Sequence, residues 1–267
     1  MKIDEFCEGI GLGADEAQLI YNNILPRDKF EGYDNIFKTD KEQFFCRLQA
    51  EENTEEIALI FYVMKSVELY SKFCESRISK EIYFDTFSDI TIWSNRYKKN
   101  TGKLGLREIE WIALHLEMKL FRIGRLQFEM MVLEEEINQD KLFYQKGTKV
   151  LNVHIPEGEP LNEVACEEAF TKARNFFGSE YKIFLCKSWL LSPNLKKILS
   201  EESNIIKFQN YFYVYKTIYP FRQAEERIFG EVLRDKKQYA EDTTLQRKAK
   251  KFLLDHKDIG IGVGILK

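Results

Sequence analysis

The sequence has few of the residues and runs that define metal centres, disulfide frameworks and membrane segments. Its five cysteines are widely spaced and form no C-x-x-C pair, which argues against a structural zinc site or a disulfide scaffold. The three histidines (His115, His154 and His256) are too few and too scattered for an obvious metal cluster. No stretch approaches the roughly 20 apolar residues of a membrane span, and the start has no apolar run of signal-peptide length. We therefore expect a cytoplasmic protein with no membrane partner.

An excess of either charge is also missing. The chain has 40 basic and 43 acidic residues, for a formal net charge of −3. Surfaces that bind nucleic acid are usually strongly basic, so we expect a small-molecule substrate or ligand and no nucleic acid. Apolar residues make up 44% of the 267 residues, enough for the core of one large domain or two modest ones. The oligomeric state is left open.

The period of the apolar residues changes near residue 120. Up to residue 118 the spacing is mostly helical, most clearly in "LREIEWIALHLEMKLF". The segment "LFRIGRLQFEMMVL" then alternates as a strand, with Arg125, Gln127 and Glu129 on one face. We predict an α+β fold, with a helical N-terminal domain (1–118) followed by a mixed α/β domain (119–267).

The segment from 150 to 190 reads as strand, helix, strand. Such a unit joins two parallel strands by a right-handed crossover, and ligands tend to bind at the carboxyl ends of those strands. This arrangement brings His154 towards Ser188 and Trp189. Further along, "NIIKFQNYFYVYKTIY" (204–219) is predicted to be one long strand.

The corner "VLNVHIPEGEPLN" (150–162) has the shape of a phosphate-binding site, because a strand leads through a tight loop into a helix N-terminus. The local charge is unfavourable for phosphate binding, since Glu157, Glu159 and Glu163 lie around the single glycine, Gly158. In addition, Pro160 has no N–H to donate. Two like charges ~4 Å apart repel by about 4 kcal/mol at an effective dielectric constant near 20. The glycine-rich runs at 9–13 and 260–264 lack the strand and helix context of a dinucleotide site. We interpret both as turns, with a last strand as the alternative for the second run.

Each candidate residue at the strand ends has two readings. His154 would act as a general base, since an imidazole titrates near neutrality, or it would pin the loop by hydrogen bonding. Trp189 would stack on a ligand or belong to the core. Cys186 is better read as a buried structural cysteine than as a nucleophile, because no local motif lowers its pKa.

Other polar candidates lie outside this unit. Arg125 and Gln127 share a strand face that would bind a phosphate or carboxylate, or would face the helical domain. Trp111 neighbours His115 on its helix and would line a cleft or be buried between domains. Gln209 would present its amide beside Tyr211 on the long strand.

Five ordered segments resemble a bacterial two-domain family labelled acyltransferase-like, whose members join a helical N-terminal domain to a GNAT-like C-terminal domain. The resemblance covers roughly residues 100 to 250, and its segments are "LFRIGRLQFE", "LNVHIPEGEPL", "CKSWLLSPNL", "SNIIKFQNYF" and "DTTLQR". It implies that the pyrophosphate of acetyl-coenzyme A or another acyl-coenzyme A binds the backbone of the corner at Ile155, Glu157, Gly158 and Leu161. It also implies that a tyrosine, Tyr211 or Tyr213, protonates the leaving thiolate. The corner departs from the Arg/Gln-x-x-Gly-x-Gly/Ala signature of GNAT enzymes.

Two functions remain in view. The first is direct acyl transfer from acyl-coenzyme A to an amine or hydroxyl of a small molecule, with His154, Ser188 and Tyr211 as catalytic candidates in a cleft between the domains. The second is a non-catalytic protein of the same fold that has lost coenzyme A and holds a carbohydrate or small metabolite on Trp189, Trp111 and Gln209. The strand–helix–strand frame favours the first function, and the charge of residues 155–163 favours the second.

Overall fold

The computed structural model describes residues 1–139, 142–255 and 258–267, so His256 lies outside the described residues. The chain divides into two compact units, Met1–Ile123 and Gly124–Lys267. The predicted fold class is confirmed, because helices dominate the first unit and a mixed sheet the second. Within the described ranges, no helix combines the length and the apolar character needed to cross a bilayer.

The first unit is helical and has an aromatic core. Helix α5 lies at its centre, with residues 58–63 all buried, and the Phe61 ring lies 5.1 Å from that of Phe44 and 5.8 Å from that of Tyr33. The elements of this unit are α1 (Ile3–Gly9), α2 (Ala14–Asn22), α3 (Arg27–Thr39), α4 (Lys41–Gln49), α5 (Thr54–Glu75), α6 (Lys80–Thr101), α7 (Ile109–Leu116) and β1 (Leu120–Ile123).

The second unit alternates strands and helices. Its elements are β2 (Leu126–Val132), β3 (Ile137–Gln139), β4 (Leu142–Tyr144), β5 (Lys149–His154), α8 (Glu163–Phe177), β6 (Ile183–Ser188), α9 (Leu195–Ile198), α10 (Asn204–Gln209), β7 (Phe212–Ile218), α11 (Gln223–Phe229), α12 (Thr244–Asp255) and β8 (Ile261–Leu266). A short 3₁₀ helix, Trp189–Leu191, follows β6. The main strands lie in the order β2-β5-β6-β8-β7, and β3 pairs with β4 separately.

The sheet confirms the predicted crossover, because β5 and β6 are parallel neighbours joined through α8. Helix α8 covers one face of the sheet, where Phe170 lies 6.2 Å from Phe128 and 5.6 Å from Phe184 between ring centroids. Side chains alternate along a strand, so Asn152 and His154 are on the opposite face.

The parallel pairing of β5 and β6 ends early. The described ladder runs from Val150 and Ile183 to Asn152 and Leu185, although β5 continues to His154 and β6 to Ser188. The carboxyl ends of these strands therefore have no ladder pairing to each other. Backbone groups on the facing edges are left for another partner, at the point where ligands bind in such units.

One predicted element is wrong, and the structure selects one of two interpretations for another segment. Residues 204–219 are not one strand, because α10 occupies the first six and β7 begins at Phe212. The run Ile205-Ile206 with Phe208 fits a helical period as well as a strand. Residues 260–264 belong mostly to β8, so the strand alternative is right and the turn is not. A Cβ at Gly262 would overlap the carbonyl oxygen of Leu191, so the glycine permits the 3₁₀ helix to lie on the strand.

Candidate active site

His154 lies at the carboxyl end of β5, among polar residues from two strands. In the antiparallel ladder of β2 and β5, Gln127 is opposite His154 and Glu129 is opposite Asn152. All four side chains belong to the face that α8 does not cover. Directly opposed residues on one face have Cβ atoms about 5 Å apart, so the sheet holds these groups as one cluster, which we call the polar quartet.

A carboxylate organises the polar quartet. Oε2 of Glu129 is 2.8 Å from Nε2 of His154 and accepts a hydrogen bond of 3.1 Å from the Asn152 amide. The Asn152 amide nitrogen is also 3.0 Å from the same ring nitrogen, so His154, Glu129 and Asn152 form one hydrogen-bonded group. The side chains of His154 and Glu129 are 24% and 16% exposed, respectively. Glu129 and Asn152 thus fix the orientation of a partly exposed imidazole, which is the arrangement expected of a general base held in place by a carboxylate.

Two atoms of the polar quartet are buried without a protein partner. Gln127 and Asn152 are 1% and 9% exposed. Among the described residues, Nε2 of Gln127 and Oδ1 of Asn152 have no hydrogen-bond partner. Most buried polar atoms are satisfied by protein or bound water, so a donor and an acceptor beside His154 indicate a place for a polar ligand.

The loop that follows His154 is fixed from within the fold. The guanidinium of Arg125, a residue that is 5% exposed, donates to the carbonyl oxygens of Pro156, Glu159 and Pro160 at 2.9, 2.7 and 3.2 Å. The side chain of Arg125 is therefore engaged by the loop, instead of lying ready for a substrate as the sequence suggested. Gly158 has φ +107°, a conformation that side-chain-bearing residues rarely adopt.

Helix α8 begins immediately after this loop. Asn162 caps the helix, because its Oδ1 accepts a hydrogen bond of 2.8 Å from the Ala165 N–H. Within the part of the chain that the structure describes, the backbone N–H groups of Gly158 and Leu161 donate to no protein acceptor. Unpaired N–H groups next to a helix N-terminus attract anions.

The acidic residues of the corner are matched by cations that the sequence did not reveal. Oε1 of Glu157 lies 3.4 Å from the guanidinium of Arg227, and Oε2 of Glu163 lies 3.1 Å from the ammonium of Lys207. These pairs partly offset the negative charge. The local charge of the corner therefore repels a phosphate less strongly than the sequence alone implies.

The structure does not bring Ser188 and Trp189 to His154. Asn152 and Leu185 are paired, so Ser188, three residues after Leu185, is on the α8 side of the sheet, and its Oγ accepts a hydrogen bond from the Leu190 N–H at 3.2 Å. Trp189 contacts an apolar core cluster of the second unit. Cys186 is fully buried, which raises the pKa of its thiol; this agrees with the structural reading.

Tyr211 and Gln209 also occupy positions that differ from the prediction. The Tyr211 hydroxyl lies 3.3 Å from both the Glu163 carbonyl and the Glu167 carboxylate, on α8. Burial and Glu167 raise the pKa of Tyr211 to about 12. Gln209 is 3% exposed, and its amide donates to the carbonyls of Leu190 and Ser192 at 3.0 and 2.8 Å. Because α10 is a helix, Gln209 faces the interior and not a strand surface.

Trp111 belongs to the first unit. Its Nε1 donates to Oδ2 of Asp89 at 2.7 Å, and Nε2 of the buried His115 lies 3.2 Å from the same oxygen. The ring lines an open cleft of about 740 Å³ together with residues of α7 and the segment before it, among them Leu106 and Arg107. Trp111 remains a predicted ligand contact.

Glu129, Asn152 and Arg227 were missed as site residues. The alternation of β2 put Glu129 on the face of Gln127, and Asn-x-His puts two polar residues on one face of β5. These signals identify polar faces. They do not tell which strands are neighbours.

Comparison with known proteins assigns both parts of the chain. The model of the GNAT-like C-terminal domain matches residues 120–266, and that of the N-acyltransferase N-terminal domain matches residues 1–118. Similar solved structures are an acyltransferase in complex with decanoyl-CoA and teicoplanin (TM-score 0.80) and one with CoA and 10C-teicoplanin (TM-score 0.79). Each is 18% identical to this chain, and the alignments cover 99% of this chain and 87% of the other. At that identity the likeness is one of fold. Comparison with the curated proteins finds no match.

Proposed function

We propose that this chain, which belongs to the N-acyltransferase family with a GNAT-like C-terminal domain, transfers an acyl group from acyl-coenzyme A to an amine or hydroxyl of a small molecule. The family resemblance seen in the sequence is confirmed by these matches. The similar structures are acyltransferases bound to coenzyme A or its decanoyl thioester, which supports acyl-coenzyme A as the donor.

One observation carries this proposal: the open carboxyl ends of β5 and β6 are flanked by two complementary features. The polar quartet on one face includes His154, oriented by Glu129 at 2.8 Å. The loop before α8 offers N–H groups at Gly158 and Leu161. An acyl-coenzyme A with its pyrophosphate on the loop and its pantetheine arm between the strand ends would bring the thioester towards His154.

The charge of the corner no longer favours a protein that has lost coenzyme A. That alternative rested on Glu157, Glu159 and Glu163 repelling a pyrophosphate. Arg227 and Lys207 pair with two of these carboxylates, which reduces the repulsion on which that alternative depended.

In this reaction His154 is the general base. As the acceptor nitrogen or oxygen attacks the thioester carbon, its proton passes to the imidazole of His154, while Glu129, 2.8 Å from Nε2, stabilises the imidazolium that forms. The new carbon–nitrogen or carbon–oxygen bond forms and the carbon–sulfur bond breaks. The thiolate of coenzyme A then takes up the proton that His154 carries. The buried Cys186, with its raised pKa, is unsuited to an acyl-enzyme step.

Gln127 and Asn152 would orient the acceptor. The Gln127 amide can donate to a carbonyl or hydroxyl oxygen, and Oδ1 of Asn152 can accept from an amine or hydroxyl. The prediction that Gln127 binds substrate is retained on this basis, and Asn152 is added to it.

The direct test is isothermal titration of the full chain with coenzyme A, acetyl-coenzyme A and decanoyl-coenzyme A. We expect saturable binding in the micromolar range for at least one thioester, followed by thiol release when a panel of small amines and alcohols is added. Absence of binding by all three ligands, in protein with a cooperative unfolding transition, would overturn the proposal.

A further inference from the structure

We infer that Arg125 is a positioning residue, which sets the peptide planes of the loop after β5 so that the backbone N–H of Leu161 faces the cofactor. The inference rests on the proposed function in one respect, namely that the anion received there is the pyrophosphate of coenzyme A. The orientation of the loop itself is argued from the fold alone.

Arg125 makes an unusual set of contacts for a buried cation. Its Nη1, Nη2 and Nε atoms each reach a different carbonyl oxygen, those of Pro156, Glu159 and Pro160, at 2.9, 2.7 and 3.2 Å. The planar guanidinium presents its donors in a fixed fork. Three carbonyl groups of one short loop are thereby drawn to a single side.

The opposite side of the loop follows from peptide geometry. In a planar trans peptide the C=O of one residue and the N–H of the next point in opposite directions; among the described residues the cis bond is Tyr219–Pro220, so this loop is trans. The Pro160 carbonyl, held by Arg125, therefore directs the N–H of Leu161 away from the guanidinium, while Pro160 itself has no N–H. The contact from Arg125 to the Pro156 carbonyl fixes the peptide plane at the start of the loop in the same way.

The covalent structure of the loop makes this orientation durable. Pro156 and Pro160 restrict φ at two positions, and Gly158 supplies the positive φ between them. A loop that needs no reordering on binding loses less entropy. The charge of Arg125, on the inner side of the loop, also favours an anion on the outer side.

The test compares Arg125→Met with Arg125→Lys and with Arg222→Met as the matched control. Arg222 also bridges several groups, since it donates to the Glu225 carboxylate, the Leu233 carbonyl and the Tyr239 hydroxyl, but none of them is in the loop. Two ligands are used, namely acetyl-coenzyme A and S-acetyl-pantetheine, which has the thioester arm without the pyrophosphate. Hydrogen exchange of residues 156–162 is followed in the ligand-free proteins.

We expect Arg125→Met to weaken acetyl-coenzyme A binding by roughly ten- to a hundred-fold, the scale of a misplaced binding group, with a much smaller change in kcat/KM for S-acetyl-pantetheine. Exchange in the loop should accelerate in Arg125→Met and remain unchanged in Arg222→Met. Arg125→Lys should recover only part of the affinity, because one ammonium cannot hold three carbonyls in the arginine geometry.

Three results would overturn the inference: unchanged loop exchange in Arg125→Met, equal losses for the two ligands, or full recovery by Arg125→Lys. Failure of the proposed function would look different. Wild-type protein would then bind no acetyl-coenzyme A, while the exchange measurement would still decide whether Arg125 orders the loop.

Discussion

His154 and His115 show how contacts decide the role of a residue type. His115 is completely buried and lies beside Asp89 and Trp111 in the helical unit. His154 ends a strand with a quarter of its side chain exposed and a carboxylate on one ring nitrogen. Both have an acidic neighbour, but solvent and a ligand can reach only a side chain that is partly exposed, which makes His154 the candidate base.

Replacing His154 tests that assignment. In His154→Gln the general base is removed, so kcat should fall by about 10²- to 10⁴-fold, while the affinity for acyl-coenzyme A, measured by titration, should be retained. Ser188→Ala tests the assignment made from sequence alone. Its hydroxyl caps the 3₁₀ helix on the other face of the sheet, so a loss of kcat as large as that of His154→Gln would contradict a structural role for Ser188.

The pair of Glu157 and Arg227 should act on cofactor affinity with opposite signs. Glu157→Gln removes a negative charge from the loop, so acyl-coenzyme A should bind a few-fold more tightly, whereas Arg227→Gln removes a positive charge and should weaken binding by a similar factor. Both changes in affinity should become smaller as the salt concentration rises from a low value to about 0.5 M, because the two side chains are partly exposed and their charges are screened. Titration at two salt concentrations measures this. Equal effects of the two variants, in sign and size, would contradict the electrostatic account.

At the scale of elements, the glycines of β8 are explained by packing. The 3₁₀ helix Trp189–Leu191 crosses β8 so closely that a Cβ at Gly262 would overlap the Leu191 carbonyl, and Gly264 is close to Phe212 and Tyr213. Gln209 fixes the same segment by donating to the carbonyls of Leu190 and Ser192. The apparent phosphate-binding motif is thus a requirement of close approach between a strand and a turn.

Gly262→Ala should therefore destabilise the protein. Overpacking of a buried position costs about 1–3 kcal/mol, and at Gly262 the overlap is with backbone, which cannot rotate away. Gly32→Ala is the matched control, because Gly32 is inside α3 and the nearest atom to its added Cβ is an Arg47 nitrogen 4.0 Å away; it should gain roughly 0.5–1 kcal/mol from reduced freedom of the unfolded chain. Urea unfolding of both variants measures the change in stability. A loss of stability in Gly32→Ala would show that replacing glycine is unfavourable for reasons other than overlap with a neighbouring backbone.

At the scale of the whole molecule, prediction from the sequence succeeded where the spacing of apolar residues follows a single period, either helical or strand. The helices before residue 118 and the strand–helix–strand unit from 150 to 190 have clear periods and were predicted correctly. The segment 204–219 was not, since its apolar residues fit both periods until contacts with neighbouring segments select a helix for Gln209. The polar quartet escaped prediction because it depends on β2 pairing with β5 in a register that aligns Glu129 with Asn152. Arg125 was assigned to a substrate because its partners are 31 to 35 residues away.

Charge pairing in both units leads to a common prediction for acid stability. Asp34 in the first unit and Glu225 in the second are buried carboxylates. Burial raises the pKa of Asp34, but hydrogen bonds from Lys38 and Lys65 outweigh it and leave the pKa lowered. Burial likewise raises the pKa of Glu225, and Arg222 together with Tyr239 outweighs it. A carboxyl group whose pKa is lower in the folded state stabilises that state at pH values above its unfolded pKa, and this contribution is lost as the pH falls through the folded pKa.

The free energy of unfolding should consequently be nearly constant from pH 7 to about pH 5 and should fall below roughly pH 4.5, where unfolded carboxylates begin to bind protons. Urea unfolding at a series of pH values measures this. Asp34→Asn should lower stability at pH 7 because the buried Lys65 loses its counter-charge. Glu225→Gln should lower it because the buried side chain loses the charge-assisted hydrogen bonds from Arg222 and Tyr239. Each variant should also lose less stability on acidification than the wild type. If the two units unfold in separate steps, Asp34→Asn should reduce the pH dependence of the step in which the helical unit unfolds. Glu225→Gln should do the same for the step in which the sheet unit unfolds. A stability that rises on acidification, or acid slopes unchanged in both variants, would show that these buried pairs do not set the pH dependence.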